Sequence, residues 1–258
     1  MYYHDYEQPN LIRILDLQTG ETKEADIDPD GRVMIMLDGK MVLPSELLLD
    51  EENGYLLTSA LGKGADRCGV LIDLNSNETI ILEEDSEDDF LASIGDNMAI
   101  ISNSYSIDVY NYQGELQYRI PYTSEKAMAF TSHQGKIYCV YPDGTLKIYQ
   151  GENEVRSIEL SDKGGFYSSK KMIRFEFIDQ ELFLYNDEVL YVIDLDSDSS
   201  RPLLEVNGNV LDYYKDKNEF LVYAYELKKL DLTYALASYK RYSIEELIER
   251  ANEQLNNY

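Results

Sequence analysis

From Phe90 to Pro121 the chain reads FLASIGDNMAIISNSYSIDVYNYQGELQYRIP. Four short apolar-rich runs stand out: Phe90–Ile94, Met98–Asn103, Ser106–Tyr112 and Glu115–Pro121. In the third, Ile107, Val109 and Asn111 alternate with Asp108, Tyr110 and Tyr112, and a period of two sends one set to a buried face. Tyr112-Gln113-Gly114 supplies turn chemistry before the fourth run. Runs of this length, rich in Ile, Val, Tyr and Phe, predict a unit of four antiparallel strands.

The unit recurs on both sides. Downstream it reads as Met128–Ser132, Lys136–Tyr141, Thr145–Gln150 and Val155–Leu160. The next copy is Met172–Ile178, Glu181–Tyr185, Val189–Leu195 and Leu203–Val206. Turn residues of the same kind separate other runs, as in Asp38-Gly39-Lys40, Asn75-Ser76-Asn77 and Pro142-Asp143-Gly144. The third strand of each unit closes on an apolar residue and then, in most copies, a polar one. The pairs are Leu15-Asp16, Ile72-Asp73, Tyr110-Asn111, Ile148-Tyr149, Ile193-Asp194 and Leu230-Asp231. The second members are spaced by 57, 38, 38, 45 and 37 residues. Four of these five spacings lie near the period of about 40–45 residues of a four-stranded propeller blade. The long first interval predicts an extra hairpin, Val33–Leu37 against Met41–Leu43. The sixth unit is expected to stop after its third strand, at Leu232.

The period and the strand-three endings resemble those of WD-repeat and quinoprotein-like β-propellers, over residues 10–232. The chain departs from the WD signature in having no Trp and no Gly-His pair opening its units. The resemblance implies an all-β propeller of five to six or more four-stranded blades. Closure has a physical motive: each blade has two apolar faces that its own strands leave uncovered, and radial stacking buries both.

Ser243-Ile244-Glu245-Glu246 is a capping box, and Ile244, Leu247, Ile248, Ala251 and Leu255 mark one face at helical spacing. This predicts one α-helix over about 244–254, packed on or extending from the last blade. The chain thus divides into a propeller, residues 1–242, and an amphipathic tail, residues 243–258. The tail after the final Leu-Asp-Leu resembles the C-terminus of bacterial WD-repeat signalling proteins that carry a TIR or NACHT-type module. That resemblance implies a sensor or scaffold part of such a protein.

The chain has 258 residues, with 49 Asp and Glu against 23 Lys and Arg, for a net charge of −26. Nucleic-acid affinity rests on Lys and Arg neutralising phosphates, so this balance argues against nucleic acid. It argues equally against anionic membrane surfaces. The N-terminal residues show no basic segment followed by an apolar one, and no run approaches the roughly 18 apolar residues of a membrane span. The expectation is a soluble cytoplasmic protein.

Catalytic signatures are scarce. Gly62-Lys63-Gly64-Ala65-Asp66 lacks phosphate-loop spacing and reads as a turn. His4 and His133 are the two histidines, too few for a histidine cluster or an easily built triad, and Cys139 alternates as a small core residue. Asp194, Asp196 and Asp198 have the spacing of a calcium loop, with Glu205 at its twelfth position. Ser199 at position six and Pro202 at position nine weaken the match. These four carboxylates are the candidate metal ligands, and no cofactor is expected.

The candidate binding residues are the acids Glu83, Glu84, Asp85, Glu87, Asp88 and Asp89, between two predicted blades, with Tyr105 and Tyr122 near turns. Tyrosine couples apolar area to a polar tip and is enriched at interfaces. The function expected is a non-catalytic interaction module that binds a protein or peptide, a basic one by charge. The alternatives are a sensor domain regulating an attached effector and a propeller enzyme, either a calcium-dependent lactonase-like hydrolase or a quinone-dependent dehydrogenase.

Overall fold

The computed structural model describes residues 2–4, 11–15, 19–26, 33–34, 36–37, 40–41, 47–62, 67–76, 78–82, 91–123, 125–160, 173–179, 181–186, 189–195, 199–205, 208–214, 217–226, 236–247 and 249. These residues form antiparallel sheets whose strands pair in chain order, with one exception in the second region.

The first sheet is β1 (Tyr2–His4), β2 (Leu11–Leu15) and β3 (Thr22–Asp26). The second region holds β4 (Val33–Met34), β5 (Met36–Leu37), β6 (Lys40–Met41), β7 (Leu47–Asp50), β8 (Tyr55–Gly62), β9 (Arg67–Asp73) and β10 (Thr79–Ile81). Here β8 is the key. Its start pairs with β7 and its end with β4, so two short strands share one edge of a long one. The hairpin β5–β6 is inserted between them, with Met36 opposite Met41 and Leu37 opposite Lys40. This accounts for the long first interval of the repeat. The described part of the expected hairpin is Met36–Leu37 against Lys40–Met41, whereas Val33 and Met34 pair instead with Gly62 and Leu61, and residues 42–43 lie outside the described residues.

Three four-stranded sheets follow. They are β11 (Leu91–Gly95), β12 (Met98–Ser102), β13 (Ser106–Asn111) and β14 (Leu116–Pro121); then β15 (Ala129–His133), β16 (Lys136–Val140), β17 (Thr145–Gln150) and β18 (Asn153–Glu159); then β19 (Arg174–Ile178), β20 (Glu181–Tyr185), β21 (Val189–Asp194) and β22 (Ser199–Glu205). The last sheet is β23 (Gly208–Tyr214), β24 (Glu219–Glu226) and β25 (Leu236–Ser243). Its third strand is not the expected one ending at Leu232. β24 is eight residues long and pairs residue for residue with Leu236–Ser243, from Glu219 opposite Ser243 to Glu226 opposite Leu236. The Leu-Asp-Leu segment at 230–232 lies outside the described residues.

The polar residue closing the third strand has a local cause. Asp73 Oδ1 accepts from the backbone N–H groups of Asn75 and Ser76, and Ser76 Oγ donates to Asp73 Oδ2 at 2.9 Å. Asn111 Oδ1 likewise accepts from the N–H groups of Gln113 and Glu115. A short polar side chain here satisfies the turn to the fourth strand. First-to-second strand turns use left-handed pairs instead: φ is 51° and 61° at Asp96 and Asn97, and 52° and 73° at Gln134 and Gly135. Such pairs match the twist of a tight hairpin.

Contacts divide the chain into two compact units, residues 1–126, 130–138 and 149–153, and residues 127–129, 139–148 and 154–258. In the first unit, Leu57, Leu71 and Leu82 of the second sheet region meet Ala99, Ile101, Tyr110 and Tyr112 of the third in one buried cluster. Gly69 on β9 faces the Ile101 side chain of β12, and a Cβ at this position would collide with it. In the second unit, Phe183, Tyr185, Leu190 and Val192 meet Phe220 and Tyr242. The Phe220 ring lies 5.4 Å from those of Phe183 and Tyr185 and 4.9 Å from that of Tyr213.

The helix begins where the capping box predicts. Residues 244–247 are helical, and Ser243 Oγ accepts from the Glu246 N–H at 3.2 Å. Ile244 and Leu247 are buried in the Phe220 cluster, so the described turn packs on the last sheet. Full burial of such a side chain stabilises by about 1.5–3 kcal/mol. Among the described residues, no helix is long and apolar enough to cross a membrane.

Candidate functional site

The register of the third sheet lines up Leu91 with Ser102, Ser102 with Ile107, and Ser106 with Pro121. The turn at residues 103–105 closes this end, and Asn103 fixes it. Asn103 Oδ1 accepts from the N–H groups of Tyr105 and Ser106, both at 2.8 Å, and its Nδ2 donates to Ser106 Oγ at 3.0 Å. The Tyr105 carbonyl accepts from the N–H of Tyr122 at 2.9 Å. The Tyr122 hydroxyl lies 2.7 Å from Ser102 Oγ. The two tyrosines predicted from sequence are therefore neighbours. Tyr122 is bound back to the sheet, while the Tyr105 side chain is 82% exposed.

Beneath this turn is a charged support. Asp108, only 2% exposed, accepts from Ser106 Oγ at 2.6 Å. Its other oxygen is 3.2 Å from Nε of Arg119, its register partner on β14, in an ion pair whose arginine reaches solvent. A buried carboxylate without such partners would be costly. The result is an aromatic side chain held out on a backbone with little freedom. That geometry offers apolar area, a hydroxyl and a ring face for a cation.

The acidic residues Glu83, Glu84, Asp85, Glu87, Asp88 and Asp89 lie outside the described residues. The chain enters β11 at Leu91, opposite Ser102, and so at the sheet end that carries Tyr105.

Of the four calcium candidates, Asp194 and Glu205 are not brought together. Asp194 pairs with Ser199 and Glu205 with Val189, at opposite ends of the β21–β22 ladder. At roughly 3.3 Å per residue, their backbones are too far apart for one ion. Asp196 and Asp198 lie outside the described residues. Among the described residues, no group of three His, Cys, Asp or Glu is placed to hold a metal. Burial pushes the His133 imidazole below its ordinary value, with Asp96 opposing. Cys68 and Cys139 are buried thiols that are not in a disulfide, and burial pushes the Cys139 thiol far up.

Sequence reasoning missed a second polar cluster. Asp50, 9% exposed at the end of β7, receives the Tyr112 hydroxyl across 62 residues of chain. It also receives the Asn53 N–H at 3.1 Å and the Asn53 carboxamide at 2.8 Å. The Tyr55 ring stacks on Tyr112, with centroids 4.1 Å apart. Burial raises the Asp50 carboxyl, but these donors outweigh it and hold the group below its ordinary value. Burial and the Asp50 charge push the Tyr112 hydroxyl far upward. No local motif announces a contact between a turn and a strand end so distant in sequence.

The comparisons give the fold. A chain of the mitotic checkpoint complex superposes over 83% of this chain with a TM-score of 0.58 and 7% identity. This chain spans 64% of that one, slightly less than two thirds. The β-propeller domain of Myceliophteria thermophila Cps50 (Swd1) matches 80% of this chain and 74% of its own, with a TM-score of 0.51 and 12% identity. The WD40 propeller domain of Doa1 matches 89% of this chain and 76% of its own, with a TM-score of 0.53 and 12% identity. The fold is an all-β propeller. At these identities the likeness is of fold alone. Neither a protein-family model nor a curated protein sequence matches the chain.

Proposed function

We propose that the chain is a non-catalytic propeller that binds a protein partner at the sheet end bearing Tyr105. The observation that carries this is an 82% exposed aromatic on a turn fixed by three Asn103 hydrogen bonds. A rigid, exposed tyrosine loses little entropy on binding, and such anchors dominate interface energetics. The net charge of −26 and the acidic run that precedes Leu91 in sequence favour a partner with a basic surface.

The WD40 likeness agrees with an interaction module, and one of the matched structures is by name a complex. The resemblance of the tail extends the reading to the sensor or scaffold part of a bacterial signalling protein, acting in the cytoplasm. Two variants test the binding reading: Tyr105→Ala, and the six acids of 83–89 changed to Asn and Gln. Each should lower recovery of a cross-linked partner, and the contact of the unmodified chain should weaken as salt rises. Unchanged recovery in both variants sinks the proposal.

A further inference from the structure

The turn between β7 and β8 contains Asn53-Gly54, a pair with an intrinsic chemical instability. With no side chain on glycine, its nitrogen can reach the preceding carboxamide carbon. The Gly54 nitrogen loses its proton and forms a bond to Asn53 Cγ, and ammonia leaves. Water then opens the ring at either carbonyl, giving aspartate or isoaspartate.

The closed turn opposes each requirement of this reaction. The Gly54 N–H is engaged by the Asp50 carbonyl at 2.9 Å. The Asn53 carboxamide is held by Asp50 Oδ2 at 2.8 Å, and the Asn53 N–H by Asp50 Oδ1. The Asp50 anion and the exposed Glu51 and Glu52 disfavour removing a proton nearby. Gly54 has φ of 73°, and its carbonyl accepts from the Leu74 N–H, which ties the turn to the end of β9.

The product would not fit the same turn. A carboxylate at position 53 places a second negative charge where Asp50 Oδ2 now receives a donor. Like charges at this range push one carboxyl to take up a proton or to move away. Asp50 is also the acceptor for Tyr112, so the Asp50–Tyr112 bond bears the consequence. Isoaspartate additionally lengthens the backbone within a hairpin whose Asp50–Tyr55 pair is in register.

We propose that Asn53 is a covalent modification site gated by local opening. While the β7–β8 turn is closed the carboxamide survives; each opening exposes it to irreversible loss of ammonia. The new carboxylate then prevents the turn from closing again on Asp50 and releases Tyr112.

The test is peptide mapping by mass spectrometry of the whole protein, held at mildly alkaline pH in buffer and in concentrated urea. Conversion at Asn53 should be at least about tenfold slower in the folded protein, since reaction then requires an opening that costs free energy. Equal rates overturn the gating. The consequence is tested by thermal unfolding of Asn53→Asp, Tyr112→Phe and the double variant. Asn53→Asp should lower the midpoint in the wild-type background and lower it less in the Tyr112→Phe background. Equal shifts in both backgrounds overturn the link to Tyr112. If Asn53→Asp does not fold, the aged wild-type protein supplies the same readout, because the converted fraction should unfold first; co-melting of both fractions overturns the proposal.

Discussion

The Tyr112 hydroxyl donates to the Asp50 carboxylate, joining the strand that begins the β7–β8 hairpin to the residue that follows β13. The bond is buried, and the Tyr55 ring covers its phenol side. Tyr112→Phe keeps the ring and removes the hydroxyl, leaving Asp50 with its Asn53 donors. Hydrogen bonds to charged groups contribute about 1.5–3 kcal/mol, so the variant should lose stability of this order in urea denaturation. A loss below about 0.5 kcal/mol would place the bond among ordinary surface contacts.

The same carboxylate sets a pH dependence. The folded value of Asp50 lies below its unfolded value, so its contribution is complete above the unfolded carboxyl pKa of about 3.9. It is lost as pH falls through the lower folded value. Burial raises the Asp73 carboxyl, but its turn hydrogen bonds together lower it by more, so it has the same sign. Asp50→Asn should therefore be less stable than wild type near neutral pH, with the gap closing on acidification. A gap that widens in acid would contradict the assignment.

Gly69 gives a packing test between two sheets. A Cβ here meets Ile101, whose side chain is part of the cluster joining the second and third sheets. Gly69→Val should destabilise by about 1–3 kcal/mol through overpacking. Gly69→Val combined with Ile101→Ala should recover part of the loss, measured by a thermal double-mutant cycle. Additive losses would show that the two side chains do not compete for space.

Ser243 caps the helical turn whose Ile244 and Leu247 enter the Phe220 cluster. Ser243→Ala should cost about 1 kcal/mol. Ser243→Asp keeps an acceptor and should be near neutral. If both are neutral, the turn is held by packing alone.

Much of the fold was legible because its repeat has a local cause. Asp73 and Asn111 close third strands as turn acceptors, and this is the polar position that recurs in sequence. Leu230-Asp231 carries the same pattern but lies outside the described residues, and the third strand, paired with β24, is Leu236–Ser243. The split of one strand into β4 and β7 was visible only as an overlong interval. The site was half legible. Tyr105 and Tyr122 were singled out as tyrosines near turns, whereas their shared backbone bond and the Asp108–Arg119 support depend on cross-strand register. The calcium spacing could not show that Asp194 and Glu205, eleven residues apart along a hairpin, lie at opposite ends of its two arms.

The most direct test of the binding account is a photo-cross-linking amino acid placed at Tyr105 and, separately, at Gln113, which is exposed at the opposite end of the same sheet. The account predicts a protein adduct from position 105 that diminishes as salt rises, and none from position 113. Adducts of equal yield from both positions, or from position 113 alone, would contradict a partner that docks at the Tyr105 end.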